Sequence, residues 1–165
     1  MKFKLGMGGG CHWCTEAVFQ SRKEVHAVDQ GYIASSKPYD SYSEAVIIYF
    51  NSIDDLELLV RVHLKTHAST KAHSRRDTYR SAIYYVDLDM KARIEAAIYS
   101  IAQEDSNACS LPTASHTSPY VTRILPFVSF KPSRESIQNY YATRPGAPFC
   151  QRYIKPKLKI AAKIK

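Results

Sequence analysis

Three consecutive glycines, Gly8, Gly9 and Gly10, stand directly before Cys11 in this 165-residue chain. Glycine is costly inside a helix or a strand, so a run of three marks a turn between two elements. Residues 2–6 ahead of the run read as a short strand. Behind it, Trp13, Ala17, Val18 and Phe19 form one helical face. The predicted order is strand, glycine turn, helix, with Cys11 opening the helical segment. A glycine backbone can approach a substrate closely, and a helix N-terminus stabilises a thiolate. Cys11 therefore reads as a nucleophile, set against the plainer reading of a small buried cysteine beside a tight turn.

Strand and helix signals alternate along the rest of the chain. Residues 25–33 and 44–50 are strand candidates by their Val, Ile and Tyr content, with a turn-rich loop between them. A helix is expected over about 54–67, capped by Ser52 or Asp54, with Ile53, Leu56, Leu59, Val60 and Leu64 as its stripe. Residues 79–86 form another strand. Asp87 or Asp89 then starts a helix striped by Met90, Ile94, Ala97, Ile98 and Ile101. VTRILPFVSF reads as one strand, interrupted or edged by Pro126, and Ser133 caps a short helix through Tyr141. No repeat and no interdomain linker is visible, and a chain of this length buries one ordinary core. The expected fold is a single α+β domain: a mixed sheet with flanking helices around a two-layer, ferredoxin-like core. That domain spans residues 1–155, and residues 156–165 form a basic C-terminal tail.

Composition narrows the function classes. Hydrophobic residues at 45% and charged residues at 23% are globular proportions, which excludes disordered and fibrous chains. No stretch of roughly eighteen apolar residues is present to span a membrane, and no secretory cleavage pattern follows the start. The expected location is the cytoplasm. Lys and Arg total 23 against 15 acids, a net charge of +8 that would suit a polyanion. The excess is concentrated late, at Lys155, Lys157, Lys159, Lys163 and Lys165, and no nucleic-acid motif accompanies it. The tail reads as a solvated face, so neither nucleic acid nor a membrane is an expected partner.

Cytosolic thiols stay reduced, so Cys11, Cys14, Cys109 and Cys150 call for a chemical or a burial explanation. CHWC makes Cys11 and Cys14 a C-x-x-C pair. A thioredoxin-type redox motif needs a βαβ setting, which the start of the chain can supply. A zinc site would recruit His63 and His67, an H-x3-H pair on one helical face. The separation from Cys14 to His63 is much longer than in a compact zinc finger, and His63 falls beside an apolar stripe.

The segment GGGCHWCTEAVFQ resembles the GCFW-x-x-E start of the peptide methionine sulfoxide reductase A family. GYI, SEAVIIYF, TYRSAIYY and NYYATRPGAPFC match that family in order, so the resemblance spans roughly residues 3–155. It implies thiol-dependent reduction of the S epimer of methionine sulfoxide, free or in proteins, with no metal or organic cofactor. It also implies thioredoxin, glutaredoxin or a small dithiol as electron donor. Cys11 would be the nucleophile that ends as a sulfenic acid. Glu44 takes the place of the family's carboxylate acid, which must be protonated to donate at neutral pH. Trp13 corresponds to the aromatic that holds the substrate's methyl group. Tyr79 matches the tyrosine that hydrogen-bonds the sulfoxide oxygen. Cys150 sits where many members carry a resolving cysteine, whose attack would form a disulfide for thioredoxin to reduce. Cys14 is the rival resolver, close along the helix but strained for a disulfide if the helix persists. Cys109 is either a relay thiol or an incidental exposed cysteine.

The chain departs from the family pattern in four places. His12 replaces a phenylalanine, so one wall of the expected methyl pocket becomes polar and titratable. The loop before Glu44 is shorter than in longer relatives, leaving Tyr39 and Tyr42 as candidates for a second sulfoxide-binding tyrosine. The family's aspartate ahead of TYRS is displaced: Asp77 is nearby in a different register, with His73 and Ser74 as other candidates for its role. The glycine-rich ending of longer relatives is replaced by RYIKPKLKIAAKIK. Two competing functions remain open at this level. One is a protein disulfide oxidoreductase that needs only CHWC; the other is a zinc- or polyanion-binding module.

Overall fold

The structure is a computed structural model, and it describes residues 2–72, 75, 77–108 and 119–165. Cys109, His73 and Ser74, offered above as relay thiol and as stand-ins for an aspartate, lie outside the described residues.

Six elements come first: β1 (Phe3–Gly8), α1 (His12–Gln20), β2 (Val25–Ala34), β3 (Ser43–Phe50), α2 (Leu56–Thr66) and β4 (Ala82–Tyr85). The four strands pair antiparallel in the order β4-β1-β3-β2. A βαββαβ chain with that strand order is the ferredoxin-like core expected from the sequence. Val46, Ile48 and Phe50 of β3 join Leu5 and Met7 of β1 in the cluster under the helices, with Val18, Phe19, Leu59 and Val60 above them. Ala45 and Ile47 point to the other face and are buried there too. Burial on both faces explains why AVIIYF reads as a continuous apolar run rather than an alternating one. Ser52 caps the turn into α2 by accepting the Asp54 N–H at 3.3 Å. Asp87 caps the next helix, α3 (Leu88–Ala108), by accepting the Met90 N–H at 2.8 Å.

Two edge strands complete the sheet. β5 (Arg123–Pro126) runs parallel to β4, and β6 (Ser129–Pro132) runs antiparallel to β2, giving the order β5-β4-β1-β3-β2-β6. These strands lie at opposite edges, yet only Phe127 and Val128 separate them in sequence. So short a link spans about 10 Å, so the sheet must curl until its edges nearly meet. The link bonds to both edges: Phe127 N–H donates to Tyr85 at 2.8 Å and Val128 N–H to Ala34 at 3.2 Å. Ile33, Ala45, Ile47, Ala82 and Tyr84 fill the inside of the curl with Leu125, Phe127 and Phe130. The single strand expected over VTRILPFVSF is therefore two strands, the first ending at Pro126.

Two further differences from expectation bear on the site. The strand expected over 79–86 is confined to Ala82–Tyr85, which leaves Tyr79 in a loop. The basic tail is a docked helix, α5 (Lys155–Lys163), which follows α4 (Tyr140–Thr143) and a π-helical turn over Cys150–Ile154. Ile154, Leu158, Ala161 and Ile164 recur at three- and four-residue spacing and face inward, so lysine content hides an amphipathic stripe. Arg22 secures its end by donating to the Ala161 and Ile164 carbonyls at 2.8 and 2.9 Å.

The glycine turn is gripped from α2. Buried His63 donates from Nε2 to the Gly8 carbonyl at 2.8 Å, and a Cβ on Gly9 would lie 2.6 Å from His67 Nε2. The triplet thus serves close approach, and none of its members has a positive φ. Burial, the largest influence, lowers the His63 pKa to about 4. With the folded value below the unfolded one, the unfolded chain takes up the proton first. His63 therefore contributes stability above about pH 6.5 that is lost as pH falls toward 4, about 3 kcal/mol in all. Urea unfolding across that window should show the loss, and His63→Gln should flatten it; equal slopes for both proteins would refute the assignment.

Candidate functional site

Cys11 is the N-cap residue of α1, with φ −58° and ψ 126°, and its carbonyl accepts the Cys14 and Thr15 N–H groups at 3.1 and 3.2 Å. Cys11 is partly buried, and the Trp13 and Cys14 backbone N–H groups of the helix start favour its anion. The Cys14 thiol lies one turn on, and the two thiols influence each other's titration. Two interacting thiols release the first proton readily and hold the second. The neighbouring Cys14 thiol, then burial, push the Cys11 thiol up. Cys14 is lowered, first by the Cys11 thiol and also by the positive charge of Lys157 on α5.

Glu44 approaches from the start of β3, with its side chain 14% exposed. Three hydrogen bonds stitch this strand start to the loop carrying Tyr79: Glu44 N–H to Thr78 O at 3.0 Å, Ser43 Oγ to Thr78 O at 2.9 Å, and Arg80 N–H to Ser43 Oγ at 2.8 Å. Tyr79 is thereby brought to hydrogen-bond Glu44 and to feel Cys11. Its phenol is pushed up, by burial first and then by the negative field of Glu44. Cys11, Cys14, Glu44 and Tyr79 thus form one electrostatic group.

His12 is not a pocket wall: the ring is 3% exposed and turned under the site. Nδ1 lies 2.8 Å from the Gly31 carbonyl and Nε2 lies 3.1 Å from Glu44 Oε1. Tyr32, opposite Glu44 in the β2–β3 register, sets its ring edge against His12 with centroids 5.2 Å apart.

Trp13 is partly exposed and stacks flat on Tyr140, centroids 4.1 Å apart, with Phe149 edge-on at 5.3 Å. Its buried Nε1 has no hydrogen-bond partner among the described residues. Buried Glu16, the glutamate of the CHWCTE motif, holds Tyr140 in place by accepting the Asn139 and Tyr140 N–H groups at 3.0 and 3.1 Å. Cys150 is fully buried against Cys14, Ala17 and Ile154, and its thiol is pushed up by burial first and then by the charge on Cys14.

Other sequence candidates lie elsewhere. Tyr39 carries the guanidinium groups of Arg80 and Arg123 over its ring, at 5.7 and 4.8 Å. Tyr42 is exposed and its hydroxyl is 2.9 Å from Ser129 Oγ. Asp77 is exposed in the loop ahead of Tyr79. The histidines weighed for zinc spend their nitrogens on the backbone and on Ser81: His63 on Gly8, and His67 on the His63 carbonyl at 2.5 Å and Ser81 Oγ at 2.8 Å. Among the described residues no group of three His, Cys, Asp or Glu is placed to hold a metal. Tyr32, Glu16 and Tyr140 were not singled out from sequence. Glu16 carries a signal in retrospect, because it lies one turn after Trp13 on the same helical face.

The family described as "Peptide methionine sulfoxide reductase" matches residues 4–165. A "Peptide methionine sulfoxide reductase MsrA" of Thermus thermophilus is 30% identical over 95% of this chain and 92% of its own. The protein of the same description from Chromobacterium violaceum is 32% identical over 94% and 92%. Among solved structures, reduced Mxr1 from Saccharomyces cerevisiae superposes with a TM-score of 0.72 at 16% identity, over 90% of this chain and 88% of that one. Mxr1 in complex with Trx2 gives 0.59 at 16% identity, over 84% of each chain. With relatives of this identity aligned almost end to end, the chain belongs to the peptide methionine sulfoxide reductase family.

Proposed function

We propose that this chain reduces the S epimer of methionine sulfoxide, free or within proteins, with Cys11 as nucleophile. The observation that carries the reading is the convergence of a helix-start thiol, a carboxylate and a phenol: Cys11, Glu44 and Tyr79. Such a group meets the needs of sulfoxide reduction, which are a sulfur nucleophile and a proton for the departing oxygen. The Cys11 thiolate attacks the sulfoxide sulfur while the oxygen takes a proton from Glu44 and a hydrogen bond from Tyr79. Two electrons pass to the substrate sulfur, methionine leaves, and Cys11 keeps the oxygen as a sulfenic acid. Trp13, on its aromatic platform with Tyr140 and Phe149, offers an apolar wall for the methyl group.

A second thiol then attacks the sulfenic acid, forming a disulfide and releasing water. Cys14 is the better placed resolver. Its thiol stands one turn from Cys11 and is coupled to it, and its pKa is lowered. The strain expected of a disulfide within a helix is relieved because Cys11 is the cap and has an extended ψ. Cys150, favoured from sequence, packs behind Cys14, fully buried and with a raised thiol. The half-exposed Cys11 sulfur leaves the Cys11–Cys14 disulfide open to an external dithiol. Thioredoxin or glutaredoxin would supply the two electrons, in keeping with the Mxr1–Trx2 complex of a fold relative. The reading calls on no metal or organic cofactor. It places the work in the cytoplasm, and none of the described helices is long and apolar enough to cross a membrane.

The Cys11–Cys14 contact also favours a second reading, a protein disulfide oxidoreductase in which Glu44 is dispensable. Single turnover by the prereduced protein separates the two. About one methionine or slightly more per chain is expected from the S epimer and none from the R epimer; no methionine from either sinks the first reading. Cys11→Ser should abolish the reaction, and Glu44→Gln should slow it by about a hundredfold while the protein stays folded. A second experiment follows turnover driven by thioredoxin. Cys14→Ser should stall after one methionine, whereas Cys150→Ser should keep turning over; the reverse result would return the resolving role to Cys150.

A further inference from the structure

His12 stands between two acceptors. The Gly31 carbonyl can only accept, so Nδ1, 2.8 Å away, must carry a hydrogen. The neutral ring has a single N–H, which Gly31 has claimed, so Nε2 is then a bare acceptor facing Glu44 Oε1 at 3.1 Å. The contact is attractive only if one proton lies in it. Either Glu44 is the acid and donates to Nε2, or His12 is the cation and Glu44 the anion.

Loss of that proton would leave an imidazole lone pair against a carboxylate oxygen beside a ring that is 3% exposed. The groups around the pair are Cys11 and Cys14 from α1, Tyr79 from the loop before β4, and Tyr32 from β2. Tyr79 and the His12 backbone N–H donate to the carboxylate, whose charge is felt at Cys14. We propose that His12 and Glu44 form a one-proton pair, with His12 the positioning residue that keeps the proton of the sulfoxide reduction in place at alkaline pH. This rests on Glu44 as the acid. On donation, the proton leaves the pair for the substrate oxygen and the pair becomes an anion facing a neutral ring. Solvent restores the proton after methionine has left.

The pair makes the enzyme's alkaline limb depend on a residue that never touches substrate. The test is the pH profile of single-turnover methionine formation in the unsubstituted protein, His12→Phe and His12→Gln. His12→Phe keeps a flat ring but supplies no second base, so its alkaline limb should move about one unit toward lower pH. His12→Gln offers an N–H to steady the carboxylate but no titrating nitrogen; it should recover the maximal rate without recovering the limb. A merely structural histidine would lower the rate and leave the limb in place, and that result overturns the proposal. Nitrogen NMR of the isotope-labelled His12 ring gives a readout independent of activity and of any variant's folding. It should show Nδ1 protonated throughout and Nε2 changing across the alkaline limb; a ring bare at Nδ1 overturns the proposal. Full activity in Glu44→Gln would instead remove the acid assignment, a failure distinct from either result on His12.

Discussion

The hydrogen bond from His63 to the Gly8 carbonyl is the constraint on which the site's geometry depends. It ties the end of β1 to the middle of α2, and the Gly9 backbone then passes against the His67 ring with no room for a side chain. Chain leaving that passage enters α1 at one point and one angle, with Cys11 as the cap. A buried neutral histidine can hold such a position because its one N–H is spent on a carbonyl, so no unpaired polar atom results at that end. The place of Cys11 is therefore set by a residue more than fifty positions away in sequence and in a different element.

From the other side, the start of β3 and the loop before β4 are joined by hydrogen bonds through Ser43 and Thr78, which carry Glu44 and Tyr79 together toward Cys11. The two halves meet through His12, one residue after the nucleophile, whose ring reaches back to both β2 and Glu44. Acid, phenol and thiol are thus linked by polar contacts that cross three strands and one helix. In so low a local dielectric each of these groups responds to charge on the others.

Behind α1 lies a second support. Glu16 neutralises the start of the short helix bearing Tyr140, and Tyr140 backs the indole of Trp13. The docked α5 brings Lys157 close enough to favour charge on Cys14. A segment rich in lysine is thereby part of the electrostatics of the thiol pair, while its Ile154, Leu158 and Ala161 stripe fastens it to the body of the protein.

Local pattern was sufficient for much of this. The glycine run, the apolar stripes of α2 and α3, their Ser52 and Asp87 caps, and the placing of Cys11 at a helix start are all short-range properties, readable because helix and strand periods are intrinsic to the backbone. The ferredoxin-like order also followed from the sequence of elements. Contacts between distant segments were not readable. Pro126 splits a strand whose halves lie on opposite edges of a curled sheet, which only closure of that sheet can require. The tail's stripe is narrow amid its lysines, too weak a signal until α1 and α2 present a surface to it. Tyr32 and His12 acquire meaning only opposite Glu44, since register across strands decides which side chains meet. Sequence by itself determined most of the elements and the placing of Cys11 at a helix start. Tertiary structure alone decided which groups gather around Cys11, because a hydrogen bond depends on distances that the order of residues does not encode.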